Sequence, residues 1–231
     1  MTANLRINGE IMKRVINITL DGPSGSGKTS IAKAVAEKLG IAYLDTGAMY
    51  RGVAYYMLNN GIDVSNEEEV LANLDKVNLV VRRENGEQKI IVNDEDITSL
   101  IRTNEISMGA STVSKIPAVR LKLVDMQRNI ARDISCVIDG RDIGSYVLPD
   151  AEFKFYLTAD VDERAKRRYL ELKAKGDVSL EQVKENLIAR DRQDESRAFA
   201  PLCVPAGAFV IDTTNLKFEE VFELILSKIK M

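Results

Sequence analysis

Residues 15–40 read VINITLDGPSGSGKTSIAKAVAEKLG, and this stretch decides the fold. Residues 15–20 are a short apolar, β-branched run, the pattern of a buried strand. Gly22-Pro23-Ser24-Gly25-Ser26-Gly27-Lys28-Thr29 then matches G-x-x-x-x-G-K-[ST]. Residues 30–39 carry helical spacing, with Gly40 placed to stop the helix. Strand, glycine-rich turn and helix in that order is the context the motif requires. Glycines let backbone N–H groups converge on phosphate oxygens, and the helix turns its positive end toward the anion. A lysine at position 28 reaches β- and γ-phosphates, and the Thr29 hydroxyl is a ligand for Mg²⁺. The segment therefore reads as a nucleoside triphosphate cradle, without saying what is done with the triphosphate.

Working outward, short apolar strands alternate with helices. Strands are expected at residues 41–44, 136–138, 153–157 and 208–211. Helices are expected at 48–58, 117–132, 179–194 and 218–228, and from Asp160, with Glu163 as capping-box partner and Gly176 as the stop. This alternation predicts a parallel α/β sheet with right-handed crossovers. Residues 62–112 break the pattern and read as an insert, with a short acidic helix at 67–74 and a hairpin of 79–83 and 89–92 turning at Asn85-Gly86.

Composition narrows the function classes. The 231 residues fit one large domain, and a net charge of −3 argues against a duplex-binding protein. The chain has no histidine, which excludes His triads, His metal sites and His acid–base catalysis. Cys136 and Cys203 lie in apolar stretches without metal spacing and are expected as buried free thiols of a reducing compartment. No run has membrane-spanning length, and a cytoplasmic protein is expected.

Two further segments point to a second, phosphorylated substrate. Asp45-Thr46-Gly47-Ala48-Met49-Tyr50-Arg51 follows the second strand, with Thr46 expected as the helix cap; an ordinary helix start with a solvated Arg is the plain alternative. Asp139-Gly140-Arg141-Asp142 follows the strand at 136–138, where ligands bind in such sheets. Asp139 stands where a Walker-B-like carboxylate would hold Mg²⁺, Arg141 suits a phosphate, and Asp142 suits a base amino group; a polar turn with a local Asp–Arg pair is the alternative. Arg164, Lys166, Arg167 and Arg168 cluster on one helix, and Arg190, Arg192 and Arg197 on or just after the next. Most charged helix faces are merely solvated, yet two such helices also suit a lid over transferring phosphates. The guanine-reading N-K-x-D motif of switch GTPases is missing.

With DGPSGSGKTSIAKAVAEKLG, LDTGAMYR (44–51), IRTNEI (101–106), DGRDIG (139–144), ERAKRR (163–168) and ARDRQDESRAFAPL (189–202) in this order, the chain resembles the bacterial cytidylate kinase family of nucleoside monophosphate kinases. The resemblance runs from about residue 15 to near the C-terminus. It implies an α/β fold: a P-loop NTPase-type parallel sheet flanked by helices, with a monophosphate-binding insert and a helical lid. The implied organisation is an N-terminal extension (1–13), core with P-loop (14–61), monophosphate-binding insert (62–112), core (113–159), lid (160–176) and core (177–231).

The same resemblance implies roles. Residues from Gly22 to Thr29 would bind ATP, with Mg²⁺ at Thr29 as the cofactor. Thr46 and Tyr50 would line the acceptor site and Arg51 face the acceptor phosphate. Ser111, Arg120 and Asp142 would read cytosine. Arg141, Arg190 and Arg197 would bind phosphates or the sugar, Asp194 the ribose, and Arg164, Arg167 and Arg168 would belong to the lid. Lys28, Arg141 and Arg190 are thus the expected catalytic residues. Thr46 stands where the family often has Ser, and Gln193 where Arg is common. The implied reaction is ATP plus CMP or dCMP giving ADP plus CDP or dCDP, with no nucleic-acid or membrane partner. A monomer is expected, because no apolar helix face is left over. Two alternatives stay open: a kinase for another acceptor such as UMP, AMP or a shikimate-like compound, and a non-catalytic regulatory P-loop module.

Overall fold

β-Branched and aromatic residues dominate the strands that form the central sheet. Ile18, Leu20, Val137, Ile138, Phe155 and Leu157 are all at zero relative exposure, and each such side chain contributes about 1.5–3 kcal/mol by leaving water. The computed structural model describes residues 4–7, 10–173 and 178–229. Gly176, the expected helix stop, lies outside them.

The elements in chain order begin with β1 (Asn4–Ile7) and β2 (Glu10–Lys13), an antiparallel pair forming its own two-stranded sheet. β3 (Asn17–Asp21), α1 (Lys28–Leu39), β4 (Ala42–Asp45) and α2 (Thr46–Asn59) follow. Next come α3 (Glu67–Leu74), β5 (Leu79–Glu84), β6 (Glu87–Val92), β7 (Glu95–Asp96), a 3₁₀ turn at Leu100–Arg102 and α4 (Asn104–Val113). The chain then forms α5 (Pro117–Asp133), β8 (Cys136–Gly140), a π-helical turn at Ile143–Val147 and β9 (Phe153–Thr158). α6 (Val161–Lys173), α7 (Leu180–Glu195), β10 (Phe209–Asp212) and α8 (Phe218–Lys228) complete it. The five-stranded sheet has the order β10-β9-β3-β8-β4. β3 pairs in parallel with both β8 and β9 and is buried along nearly its whole length, as expected for a parallel strand covered on both faces.

Two units can be distinguished: Met1–Ala42 with Ile130–Met231, and Tyr43–Asn129. In the first unit, the register of β3 against β8 sets Leu20 beside Asp139 and Asp21 beside Gly140. The P-loop and the Asp139–Asp142 segment therefore leave the sheet side by side. α6 and α7 pair through a small core of Ala165, Val183 and Leu187, flanked by Tyr169 and Leu172. In the second unit, the antiparallel sheet β5-β6-β7 and α4 both pack on α2. Lys122 on α5 donates to the carbonyls of Leu74 and Val77, stitching α5 to the end of α3.

Several expectations need correction. Thr46 does not cap α2; Asp45 ends β4 in extended conformation, and its Oδ1 accepts the Ala48 N–H at 2.9 Å, so the helix starts two residues earlier than the apolar spacing indicates. Asp160 does cap α6, accepting from the Asp162 N–H at 2.8 Å. Its own N–H donates to Thr214 Oγ1, which leaves Glu163 to pair with Arg167 rather than close a capping box. Cys136 is buried but Cys203 is exposed. Residue 203 lies in an irregular segment where Leu202 and Pro205 turn inward, so apolar neighbours do not carry the thiol into the core. An apolar surface is also left over: Phe209 and Val210 on the edge strand, and Phe218 and Leu224 on α8, are exposed.

Candidate active site

The P-loop is shaped by what lies beneath it. Gly22 has φ 146°, and a Cβ there would stand 2.0 Å from the Leu157 carbonyl oxygen. Only glycine lets the chain leave β3 this close to the end of β9. Lys28, in the first turn of α1, is buried and donates to the Pro23 carbonyl at 3.0 Å, folding its side chain back over the loop. Burial pulls its amine down to about 7, helped by Arg141 and opposed by Asp139, Asp194 and Asp21. A polyphosphate in the loop would restore the cationic form, since an opposite charge favours it. Ser24 and Ser26 anchor the loop through their carbonyls: Ser24 accepts from Arg164 Nη1 at 3.1 Å, and Ser26 from Thr213 Oγ1 at 3.2 Å.

Thr29 Oγ1 donates to Asp139 Oδ2 at 2.5 Å. The structure thus joins the last P-loop residue to the end of β8, presenting a hydroxyl and a carboxylate together. Hard oxygen donors of this kind suit Mg²⁺, which takes one or two protein ligands and completes its shell with phosphate oxygens and water. Among the described residues, no group of three or more Cys, Asp or Glu is placed to hold a metal ion.

Arg141 and Asp194 meet although they lie on different elements: Nε donates to Oδ2 at 2.9 Å. Burial works against the Arg141 charge, but Asp194, Asp139 and Asp191 override it and hold the guanidinium firmly cationic. Arg197 also faces Asp194, at 3.7 Å, so one carboxylate gathers two guanidinium groups. Arg190 is half-buried on the same helix, and Asp142 is buried at the start of the π-helical turn. That turn is closed by Val147 N–H to the Asp142 carbonyl at 3.1 Å, an i→i+5 bond of a kind frequent at functional sites.

The arginines of α6 divide by environment. Arg164 is buried and donates to Ala159 O, Ser24 O and Asp191 Oδ2. Arg167 binds Glu163 and both the hydroxyl and carbonyl of Thr213, the residue that in turn holds Ser26. Arg168 pairs at the surface with Glu171.

The second unit carries the other group of expected residues. Arg51 Nη2 donates to Asp45 Oδ2 at 2.9 Å. Thr46 is buried in the first turn of α2. The Arg120 guanidinium carbon lies 5.5 Å from the Tyr50 ring centroid, and Nη1 donates to Ser114 O. Ser111 is half-buried on α4, its carbonyl accepting from the Ser114 hydroxyl.

A family model described as cytidylate kinase matches residues 18–231. The chain belongs to the cytidylate kinase family. The cytidylate kinase of Caldicellulosiruptor saccharolyticus is 48% identical over 212 residues, covering 91% of this chain and 94% of the relative. That of Clostridioides difficile is 48% identical over 215 residues, covering 93% and 98%. A solved structure of an uncharacterized protein from Eubacterium ventriosum shares the fold, with TM-score 0.53 at 14% identity over 92% of this chain and 96% of that one.

In this cytidylate kinase family member, several structurally engaged residues escape a reading of motifs. Asp21 is fully buried and accepts the N–H groups of Ile143 and Gly144 at 2.8 and 2.7 Å, tying the P-loop strand to the Asp139–Asp142 segment. Burial pushes its carboxyl up to about 7 against those two bonds. Asp191 and Thr213 brace the loop from α7 and from the end of β10. A charged residue ending an apolar strand was the available signal for Asp21; for the other two, the partners are remote in sequence.

Proposed function

We propose that this chain transfers the γ-phosphoryl group of ATP to CMP, and to dCMP, giving ADP and CDP or dCDP. The observation that carries the reading is the buried charge cluster at the carboxyl ends of β3 and β8. Lys28, Arg141, Asp139 and Asp194 influence one another there, and Thr29 meets Asp139. Phosphoryl transfer needs in-line positioning and neutralisation of charge on the equatorial oxygens, and little covalent chemistry from the protein.

In this reading the P-loop from Gly22 to Thr29 cradles the ATP phosphates. Thr29 and Asp139 would hold Mg²⁺, which would supply charge neutralisation at the phosphate oxygens. Lys28, Arg141 and Arg190 act on the transferring group, with Arg164, Arg167 and Arg168 on the lid side. The acceptor phosphate oxygen is itself the nucleophile, so no general base is required; a chain without histidine is compatible with that. Thr46, Tyr50 and Arg51 bind the acceptor, Arg51 through its phosphate. Asp142 accepts from the cytosine N4 amino group, Arg120 and Ser111 meet the remaining polar edge, and Asp194 and Arg197 bind the sugar or phosphate. Closure of α6 excludes water, which otherwise competes as acceptor. The protein works in the cytoplasm, on free nucleotides rather than nucleic acid. Among the described residues, no helix is long and apolar enough to cross a membrane.

A coupled ADP-release assay with MgATP and CMP, dCMP, UMP, AMP and GMP tests the proposal. Fast turnover with CMP and dCMP and little with the purines is expected. Faster turnover on a purine or on UMP would overturn the base assignment, and none on any of them would overturn the reaction.

A further inference from the structure

No residue of the sheet β5-β6-β7 has been given a part in the reaction, yet the sheet is tied through Asp45 to the arginine given the acceptor phosphate. On β6, the side-chain amide of Gln88 makes two bonds to one residue. Its Oε1 accepts the Asp45 N–H at 2.7 Å, and its Nε2 donates to the Asp45 carbonyl at 3.1 Å. Both backbone groups of Asp45 are thereby engaged, as a neighbouring strand would engage them. The Asp45 carboxylate is divided between two duties. Oδ1 caps α2 through the Ala48 N–H at 2.9 Å, and Oδ2 holds Arg51 Nη2 at 2.9 Å. A chain of three residues therefore runs from β6, through the Asp45 backbone and carboxylate, to the Arg51 guanidinium.

A second contact fixes the same helix turn. A Cβ at Gly52 would lie 2.8 Å from Leu79 Cδ1 on β5 and 3.2 Å from Ile90 Cγ2 on β6. A larger residue there would have to push the Leu79 and Ile90 side chains aside, so glycine after Arg51 lets α2 lie close against the sheet. Arg51 Nε is buried and has no hydrogen-bond partner among the described residues. Asp45 thus steers the guanidinium without consuming all of its donors, leaving capacity for an anion.

We infer that the sheet is a positioning element for the acceptor's phosphate, with Gln88 as the positioning residue acting through Asp45 on Arg51. The inference rests on the reading that Arg51 binds that phosphate. Gln88 itself touches no substrate. Freed from Gln88, the β4–α2 junction would let Asp45, and Arg51 with it, sample other positions. The cost would fall on acceptor binding and spare ATP.

The test is steady-state kinetics on the full chain, for Gln88→Ala and the volume-matched Gln88→Met, each alone and combined with Arg51→Ala. Loss of two neutral hydrogen bonds of ordinary strength predicts a rise of about tenfold in KM for CMP, with KM for ATP changed less than about twofold. In the Arg51→Ala background the Gln88 substitution should add nothing, the signature of two residues acting in one chain. Equal rises in both KM values, or an undiminished Gln88 effect without Arg51, would overturn the inference and make Gln88 a general stabiliser. If Arg51→Ala raises KM for CMP while neither Gln88 variant does, the inference alone fails. If Arg51→Ala leaves KM for CMP unchanged, the Arg51 reading fails and the inference with it. Should Gln88→Ala fold poorly, Gln88→Met keeps the bulk and gives the same readout.

Discussion

Arg164 on α6 and Asp191 on α7 form a buried ion pair, Nη1 to Oδ2 at 2.5 Å, and the same guanidinium group holds the P-loop through Ser24 O. The pair ties the helix read as the lid to its neighbour and to the phosphate cradle at one point. Removing one partner leaves an uncompensated charge in a dry setting, which costs about 3–5 kcal/mol. Arg164→Ala is therefore expected to lower stability by about that amount in urea unfolding and to raise KM for ATP. The double variant Arg164→Met with Asp191→Leu should recover most of the stability but not the ATP affinity. Recovery of both would separate the pair from the nucleotide site.

Asp21 makes stability depend on pH in an unusual direction. Its carboxyl is pushed from 3.8 up to about 7, first by burial, so the folded state holds a proton that the unfolded chain has released. Its contribution is full below about pH 4 and is lost as pH rises toward 7. At about 1.4 kcal/mol per pH unit, the loss is on the order of a few kcal/mol. Asp21→Asn removes the titration, while its amide opposes one of the two N–H donors at Ile143 and Gly144. The variant should be weaker than wild type at pH 4.5, with the gap closing by pH 7.5 in urea melts. A gap that stays constant with pH would mean that Asp21 is ionised throughout.

Lys28 should matter for rate and not for folding. Its buried amine is disfavoured as a cation, first by burial and then by Arg141, so its loss relieves a strain of the ligand-free protein. Lys28→Ala is expected to lower turnover about 10²–10³-fold or more, the usual cost of one donor to developing charge. Lys28→Met should unfold at no lower urea concentration than wild type. Near-normal turnover in either variant would contradict the role given to the P-loop.

In the proposed function, base choice turns on Asp142. Uracil carries a carbonyl where cytosine carries its amino group, and a carboxylate facing it leaves buried acceptors unpaired at about 1–3 kcal/mol. Asp142→Ala should narrow the CMP-to-UMP ratio of kcat/KM by about tenfold. An unchanged ratio would remove Asp142 from base reading.

Much of the fold was legible where local chemistry and tertiary role agree. β3 is a continuous apolar run because both of its faces are covered, and α8 falls on residues 218–228 as its periodicity indicates. α4 was not legible: NEISMGASTV contains Gly109 and β-branched residues, and forms as a helix because Thr103 caps it and Gly109 admits Ala54 and Leu58 of α2. β7 is two residues long, and among the described residues β1 and β2 pair only with each other, so none carries a lasting pattern. At the site, the motif residues are contiguous and announce themselves. Their partners do not: Arg141 finds Asp194 across 53 positions, Arg164 finds Asp191 across 27, and Gln88 finds Asp45 across 43. Such pairs arise from the register of strands and the packing of helices, which no local spacing encodes.

Following the γ-phosphoryl group itself tests the central claim most directly. ATP radiolabelled at the γ position is incubated with Mg²⁺, CMP and the protein, and the products are separated. The account predicts label in the β-phosphoryl group of CDP in step with ADP formation, with little inorganic phosphate. Label released as inorganic phosphate while CMP stays unchanged would contradict it.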